Sequence, residues 1–237
     1  MKRPDLGFWD SFPDKYISLK NENRKTILFP AIKDSITKTK IDKILDYGGG
    51  DGFFLDTFEN ECKKVLYDPS KGMIKFAKEN RKTISSFYTS DYKILENNFD
   101  LITLIHVVTV IKDDTELNRI FSKIRELLSD DGEFIIGMTH PAFKNNYFST
   151  FHTDFSEGTL EFDYLNNSLV YNVLLDSDSK ESFVSFECYH RSLSCIFNML
   201  IKNGFTIKKV SEIQDKDFNN PDKKYLFPPF LIINCKK

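Results

Sequence analysis

Four glycines fall in five positions, Gly48, Gly49, Gly50 and Gly52 of "ILDYGGGDGFFLDTF" (44–58), directly after a short apolar run that ends in Asp46. Glycine has no Cβ, so such a turn lets backbone come close to a ligand, and a helix N-terminus behind it offers unpaired N–H groups. The spacing excludes two phosphate cradles. GxGxxG needs a third glycine, but the register from Gly48 reaches Phe53 and that from Gly50 reaches Leu55. No Gly-Lys-Ser/Thr follows, so the turn is not a P-loop. What fits is acid-x-Gly-x-Gly-x-Gly, with Asp46 two positions before the glycines. A carboxylate there would repel a pyrophosphate and favour a ligand with a cationic group. A second carboxylate, Asp68 of "VLYDPS", lies 22 residues beyond Asp46. It stands where a carboxylate accepts both hydroxyls of a ribose; followed by Pro69 and Ser70, it also reads as a helix N-cap.

The elements that must position these residues alternate from residue 41 onward between short β-branched runs and helical patterns, the signature of βαβ units on a parallel sheet. "KILDYG", "KKVLYD", "ISSFYTSD", "FDLITLIHVVTVI" and "EFIIGMTHP" read as five strands. "DGFFLDTFENE", "SKGMIKFAKENRK" and "DTELNRIFSKIRELLSD" read as the intervening helices, the last with Leu117, Ile120, Phe121, Ile124, Leu127 and Leu128 on one face and Gly132 as its cap. Residues 142–189 break the rhythm: "TLEFDYL", "SLVYNVLL" and "SFVSFECY", parted by "NN" and "DSDS", predict an inserted antiparallel meander. A helix "LSCIFNMLIKNG" follows, then "FTIKKVSEI" and "FPPFLIINCKK" as an antiparallel pair joined by a short loop. Residues 1–40 predict a helical cap over the sheet edge. The whole is read as one α/β domain over 1–237, a Rossmann-like seven-stranded, mostly parallel sheet with an antiparallel last strand.

With Asp46, the glycines and Asp68 in this order at the ends of successive strands, the chain resembles the class I S-adenosylmethionine-dependent methyltransferases from about residue 41 to its end. The cationic group facing Asp46 is then the methionine ammonium of the cofactor. The resemblance makes Asp46 and Gly48 to Gly52 the methionine contacts and Asp68, with Pro69 beside it, the ribose clamp. It implies that Asp91 of "TSDYKI" faces the adenine amino group, that Tyr92 packs on the adenine ring, and that Ile105 and His106 lie near the sulfonium. Two positions depart from the family pattern: Tyr47 stands where a small aliphatic residue is usual, and Asp51 where Thr or another small residue is common. "HPAF" and "YHRSLSCIFNMLIKNGF" resemble a bacterial branch of small-molecule methyltransferases.

Ligands of open parallel sheets bind beyond the carboxyl ends of the strands, so His106, His140 and His190 are expected on one rim. Histidine removes protons near neutral pH, and His140 and His190 are the first candidates for a base or for orienting the acceptor, with His106 third. Two scaffold readings stand beside this: His140 hydrogen-bonded ahead of Pro141, and His190 capping a helix. Arg191 could hold an anionic acceptor or serve as an ion-pair residue. Phe8, Trp9, Phe12, Tyr16, Phe155, Phe162, Tyr164, Tyr171, Phe183 and Phe186 could roof the site, form a satellite core or make a dimer surface.

A net charge of -2 gives no basic field for a phosphate backbone. The four cysteines have no metal-ligand spacing and read as reduced thiols of a cytoplasmic protein, and no His/Asp/Glu cluster predicts a metal. No signal peptide and no apolar run approaching the roughly 20 residues of a membrane span is present. The expected activity is methyl transfer from S-adenosylmethionine, leaving S-adenosylhomocysteine, to an oxygen or nitrogen of a small molecule, by a monomer or homodimer. Methylation of RNA or protein and a non-catalytic cofactor-binding module are the alternatives.

Overall fold

β1 (Lys43–Tyr47) is buried from Ile44 onward, as a strand must be when both faces of its sheet are covered. The computed structural model describes residues 6–11, 23–58, 61–94, 97–143, 147–148, 151–154, 162–176, 183–214 and 228–237. β2 (Lys63–Tyr67), β3 (Ser86–Tyr88), β4 (Phe99–Ile105) and β5 (Leu128–Thr139) run parallel to β1. The sheet has the order β10-β11-β5-β4-β1-β2-β3, in which β11 (Phe230–Lys236) is antiparallel to both β5 and β10 (Thr206–Ile213). This is the Rossmann-like sheet with an antiparallel last strand that the strand pattern predicts. The order reverses between β1 and β4, and at such a switch point the carboxyl ends of the strands leave a crevice.

Both faces are covered. α1 (Leu6–Asp10) packs against the start of the helix Lys71–Asn80, and a π-helical turn (Arg24–Leu28) leads into α2 (Phe29–Ser35). α2, α3 (Phe53–Asp56) and α4 (Lys71–Asn80) supply Ile32, Leu55, Ile74 and Ala77 to one apolar layer. α5 (Asp114–Leu127) and α6 (Leu193–Lys202) supply Leu117, Phe121, Ile124 and Ile196 to the other. Among the described residues no helix is long and apolar enough to cross a membrane.

The inserted sheet is antiparallel in the order β6-β7-β8-β9, from β6 (Tyr147–Phe148), β7 (Phe151–Asp154), β8 (Val170–Asp176) and β9 (Phe183–Tyr189). Its first strands come earlier than the alternation in "TLEFDYL" predicts. Residues 162–165 are coil and turn, pinned by Leu193 N–H donating to the Tyr164 hydroxyl (2.9 Å); 159–161 lie outside the described residues.

Three other boundaries differ from expectation. α3 has four residues, because Thr57 turns back on Phe54 O through both its N–H (3.1 Å) and its hydroxyl (2.7 Å). α5 ends at Leu127, and Gly132 lies inside β5 instead of capping the helix. The ladder there is irregular: Phe99 pairs with Leu128 but Leu101 with Glu133. A Cβ on Gly132 would sit 2.7 Å from Phe99 O, so this close approach is what uses the glycine. The connection between β10 and β11 spans 214–229, longer than the short loop expected.

Candidate functional site

The glycine turn is lashed to the end of β2, with Gly48 and Gly49 N–H both donating to Tyr67 O (2.7 and 3.1 Å). Gly50 N–H donates to Asp68 Oδ2 (2.9 Å), Gly52 N–H to Gly49 O (3.0 Å) and Phe53 N–H to Asp51 Oδ1 (3.2 Å). These five donors are committed within the protein. The turn therefore offers a ligand space and not a set of N–H groups, the reverse of what a phosphate needs. The space is specific to glycine: Gly48, Gly50 and Gly52 have φ of 77°, 55° and 69°, and a Cβ on Gly49 would fall 2.3 Å from Asp46 Oδ2.

Asp46, at the end of β1, is buried and accepts a hydrogen bond from Thr103 Oγ1 (2.8 Å). Burial pushes its pKa up to about 7; the charges of Asp51 and Asp68 add to the rise, and Thr103 and Arg24 oppose it. Asp68, also buried, accepts Gly50 N–H on Oδ2 and Ser70 N–H on Oδ1 (2.9 Å each), and burial pushes it up to about 6. Each oxygen keeps lone-pair capacity for a further donor. Two buried carboxylates with raised pKa values make a place that a cation stabilises.

These groups line one cavity of about 220 Å³. Gly48, Gly49, Gly50, Pro69, Ile105 and His106 line it as well, so most of the cofactor-side expectations meet in one place. Gly52 does not line it; its N–H closes the turn on Gly49 O (3.0 Å). Trp9, Tyr171 and Phe186 close the cavity from outside the large sheet. The Trp9 ring lies 5.3 Å from that of Phe186. α1 is held down by Asp10, whose Oδ1 accepts Ser70 Oγ–H (2.9 Å) and Gly72 N–H (3.2 Å) at the start of α4. Part of the expected roof is thus present. Phe162 and Tyr164 pack around His190 instead, Phe12, Tyr16 and Phe155 lie outside the described residues, and nothing is described of the Phe183 side chain.

His106 is the histidine on the cavity. Its φ is 58°, a left-handed conformation rare outside glycine, and its N–H donates to Gly137 O (2.8 Å). Burial, with the charge of Arg24, pushes its pKa down to about 4. The ring is therefore neutral through the physiological range.

The methyltransferase domain family matches residues 38–176, more than half of the chain. The chain belongs to that methyltransferase family. Among solved structures it is similar to an S-adenosylmethionine dependent methyltransferase from Mesorhizobium loti, with 20% identity, 88% of this chain and 96% of that one covered, and a TM-score of 0.61. It is also similar to the PH0226 protein from Pyrococcus horikoshii OT3 (18% identity, 97% and 98% covered, TM-score 0.65). The CcbJ methyltransferase from Streptomyces caelestis is a third (14% identity, 97% of each chain covered, TM-score 0.66). These identities carry the fold, which is that of the class I S-adenosylmethionine-dependent methyltransferases. No curated protein matches the chain.

Other expected site residues of this methyltransferase are spent elsewhere. His140 Nδ1 accepts Ala142 N–H (3.1 Å), which leaves the proton on Nε2 for Glu212 Oε1 at 2.9 Å. His190 Nε2 donates to Tyr164 O (2.8 Å), with its ring against those of Phe162 and Tyr164 at 5.1 and 5.6 Å. Neither histidine lines the cavity. Arg191 donates to Val108 O (2.9 Å) and Ile111 O (2.8 Å) and pairs with Asp114 (2.8 Å), tying α6 to the segment after β4 instead of facing an acceptor. Asp91 accepts from Tyr47 and from Arg119 Nη1 (2.7 Å) and lies off the cavity. Tyr92 is 68% exposed, under the Arg119 guanidinium (5.5 Å to the ring centre), and lies off the cavity as well.

Arg24 and Phe230 are among the cavity residues that no motif marks. They reach the site only through packing, from the N-terminal turn and from the last strand. Among the described residues no group of His, Cys, Asp or Glu could hold a metal ion.

Proposed function

We propose that this methyltransferase moves a methyl group from S-adenosylmethionine to an oxygen or nitrogen of a small enclosed molecule, leaving S-adenosylhomocysteine. The observation that carries the reading is the single cavity in which the glycine turn, two buried carboxylates and a neutral histidine meet under an aromatic roof. The residues fit this cofactor. The turn has its donors spent and its carboxylates raised, which suits a cationic ligand and not a phosphate, and a Cβ at Gly49 would close the cradle. Asp68 would hold the ribose hydroxyls and Asp46 the ammonium end.

When bound, the cofactor supplies a methyl already activated on a sulfonium. What remains for the chain is to orient the acceptor, exclude water and take up a proton. His106, neutral and on the cavity, is the group placed to accept that proton. Trp9, Tyr171 and Phe186 keep bulk water out. The enclosure and the net charge of -2 support a small acceptor over a nucleic acid. The four cysteines form no disulfide, which supports a reducing, cytoplasmic setting.

The test is formation of S-adenosylhomocysteine by the purified protein against a panel of hydroxyl- and amine-bearing small molecules, with tRNA and a protein extract as parallel arms at physiological salt. Turnover confined to the small-molecule arm is the expected result. Turnover confined to tRNA or protein would replace this acceptor class.

A further inference from the structure

The inserted sheet turns one face of its last two strands to the cavity. Tyr171 and Val173 of β8 lie directly across from Cys188 and Phe186 of β9, so the four side chains share one side of the pleat. All of them line the cavity. Between them Asn172 pairs with Glu187 on the other side, where Glu187 is exposed. Met73 of α4, Val110 and, from α1, Trp9 pack on the same side chains and complete an apolar wall. The Tyr171 hydroxyl and the Cys188 sulfur are hydrogen-bonded to each other. Tyr189 N–H donates to Thr109 O (2.7 Å), which fixes this wall to the segment that carries His106.

Charge in the cavity stays on the side of the glycine turn. Among the described residues that line it, the charged side chains are Asp46, Asp51, Asp68 and Arg24, the last 3.5 Å from Asp51. None comes from the inserted sheet, from α1 or from the segment after β4. An ionised group laid against the wall would lose its hydration and meet no counter-ion, a cost that an uncharged molecule avoids. A flat ring is matched there by the rings of Trp9, Tyr171 and Phe186. Burial also makes the His106 ring hard to protonate. So weak a base takes a proton more readily from a hydroxyl on an aromatic ring, with a pKa of about 10, than from an aliphatic one. Resting on the methyl-transfer reading above, we propose that the acceptor is an uncharged aromatic hydroxyl compound, its ring seated on the wall of Tyr171, Val173, Phe186 and Cys188 and its hydroxyl toward His106. The hydroxyl oxygen gains the methyl carbon, the electron pair of the broken S–C bond stays on sulfur, and the hydroxyl proton goes to the His106 ring.

Three acceptors of similar shape test this: naphthol, its carboxylated counterpart hydroxynaphthoate, and the saturated decahydronaphthol. Their binding to the protein loaded with S-adenosylhomocysteine is measured by calorimetry, and turnover by S-adenosylhomocysteine formed from S-adenosylmethionine. The wild type is expected to bind naphthol at least about tenfold more tightly than either of the others. Phe186→Ala should weaken naphthol by about tenfold, with S-adenosylhomocysteine affinity within about threefold of wild type. Phe186→Lys should shift the preference toward hydroxynaphthoate by about tenfold or more, since it supplies the missing counter-ion. Equal binding of naphthol and hydroxynaphthoate, equal binding of naphthol and decahydronaphthol, or no naphthol binding to a wild type that binds S-adenosylhomocysteine overturns the proposal. So does an equal loss of S-adenosylhomocysteine affinity in Phe186→Ala, which would give the wall to the cofactor. A wild type that binds neither S-adenosylmethionine nor S-adenosylhomocysteine overturns the cofactor reading itself, an outcome distinct from all of these.

Discussion

His106 and His140 each follow the last residue of neighbouring parallel strands, β4 and β5, yet their rings serve different ends. His106 turns through a positive φ onto the cavity, where burial keeps it neutral. His140 has both ring nitrogens engaged, by Ala142 N–H and by Glu212, and does not line the cavity. Position at a strand end is thus not enough to bring a ring to the cavity. The backbone conformation of the residue and the number of partners already on its ring decide. The carboxylates divide in the same way: Asp68 keeps capacity for a ligand, whereas Asp91 is drawn off by Tyr47 and Arg119.

The largest effect that sharpens this contrast is on turnover. His106→Ala is expected to lower kcat by about 10²- to 10³-fold, the range of a lost general base, while cofactor affinity by calorimetry stays within about threefold. His140→Ala should leave kcat within about threefold of wild type and lower unfolding free energy by about 1 to 3 kcal/mol, through a buried ring whose bonds are lost. A His140 variant that folds normally, binds cofactor and fails to turn over would break the comparison.

Next in size is the loss of affinity at Asp68. Asp68→Ala should weaken S-adenosylmethionine by about 10- to 100-fold, since it removes hydrogen bonds to a charged group. Asp91→Asn, off the cavity, is expected to change that affinity by less than about threefold and to show itself in the melting temperature. A large affinity loss in the Asp91 variant, at unchanged stability, would return Asp91 to the site.

Much of the cavity's glycine-turn side was legible in the residues because it is local. The glycines, Asp46 and Asp68 lie in strand-turn-helix units whose hydrophobic periods are plain. That His106 lines the cavity while His140 and His190 do not was hidden, because sequence places His106 at a strand end without telling its φ. Asp91 looked like Asp68 for a similar reason: the rival partner, Arg119, sits 28 positions away on α5 and is joined only by packing. Arg24 had no motif at all, and the pairing of Trp9 with Phe186 spans most of the chain. Gly132 misled because a glycine after an amphipathic run suits a helix cap and a tight strand contact equally well.

A smaller effect follows from the raised carboxylates, and its sign is fixed. A cationic ligand favours the ionised form of Asp46 and of Asp68, whose pKa values before binding are about 7 and about 6. Binding therefore releases protons where these groups are still protonated, and affinity rises with pH across that window. Titrations of S-adenosylmethionine from pH 8 to pH 5.5 should show a loss of about tenfold or more on the acid side. In Asp46→Asn the upper part of the dependence should vanish, leaving the step near pH 6. His106 titrates well below this window and contributes nothing to it. An affinity flat from pH 8 to 5.5 would mean that neither carboxylate faces the cation.

The smallest effect separates two neighbouring glycines. A methyl on Gly50 meets no atom within 4 Å, so Gly50→Ala incurs only the backbone cost of φ 55°, about 1 to 2 kcal/mol. A methyl on Gly49 would instead displace the Asp46 carboxylate. Gly49→Ala should therefore lose cofactor affinity beyond its loss of stability, whereas in Gly50→Ala the melting temperature should fall with affinity retained once the fraction folded is corrected for. If Gly50→Ala also abolishes binding in the folded protein, the open space above Gly50 is itself occupied by the ligand, and the contrast between the two positions becomes one of contact against support.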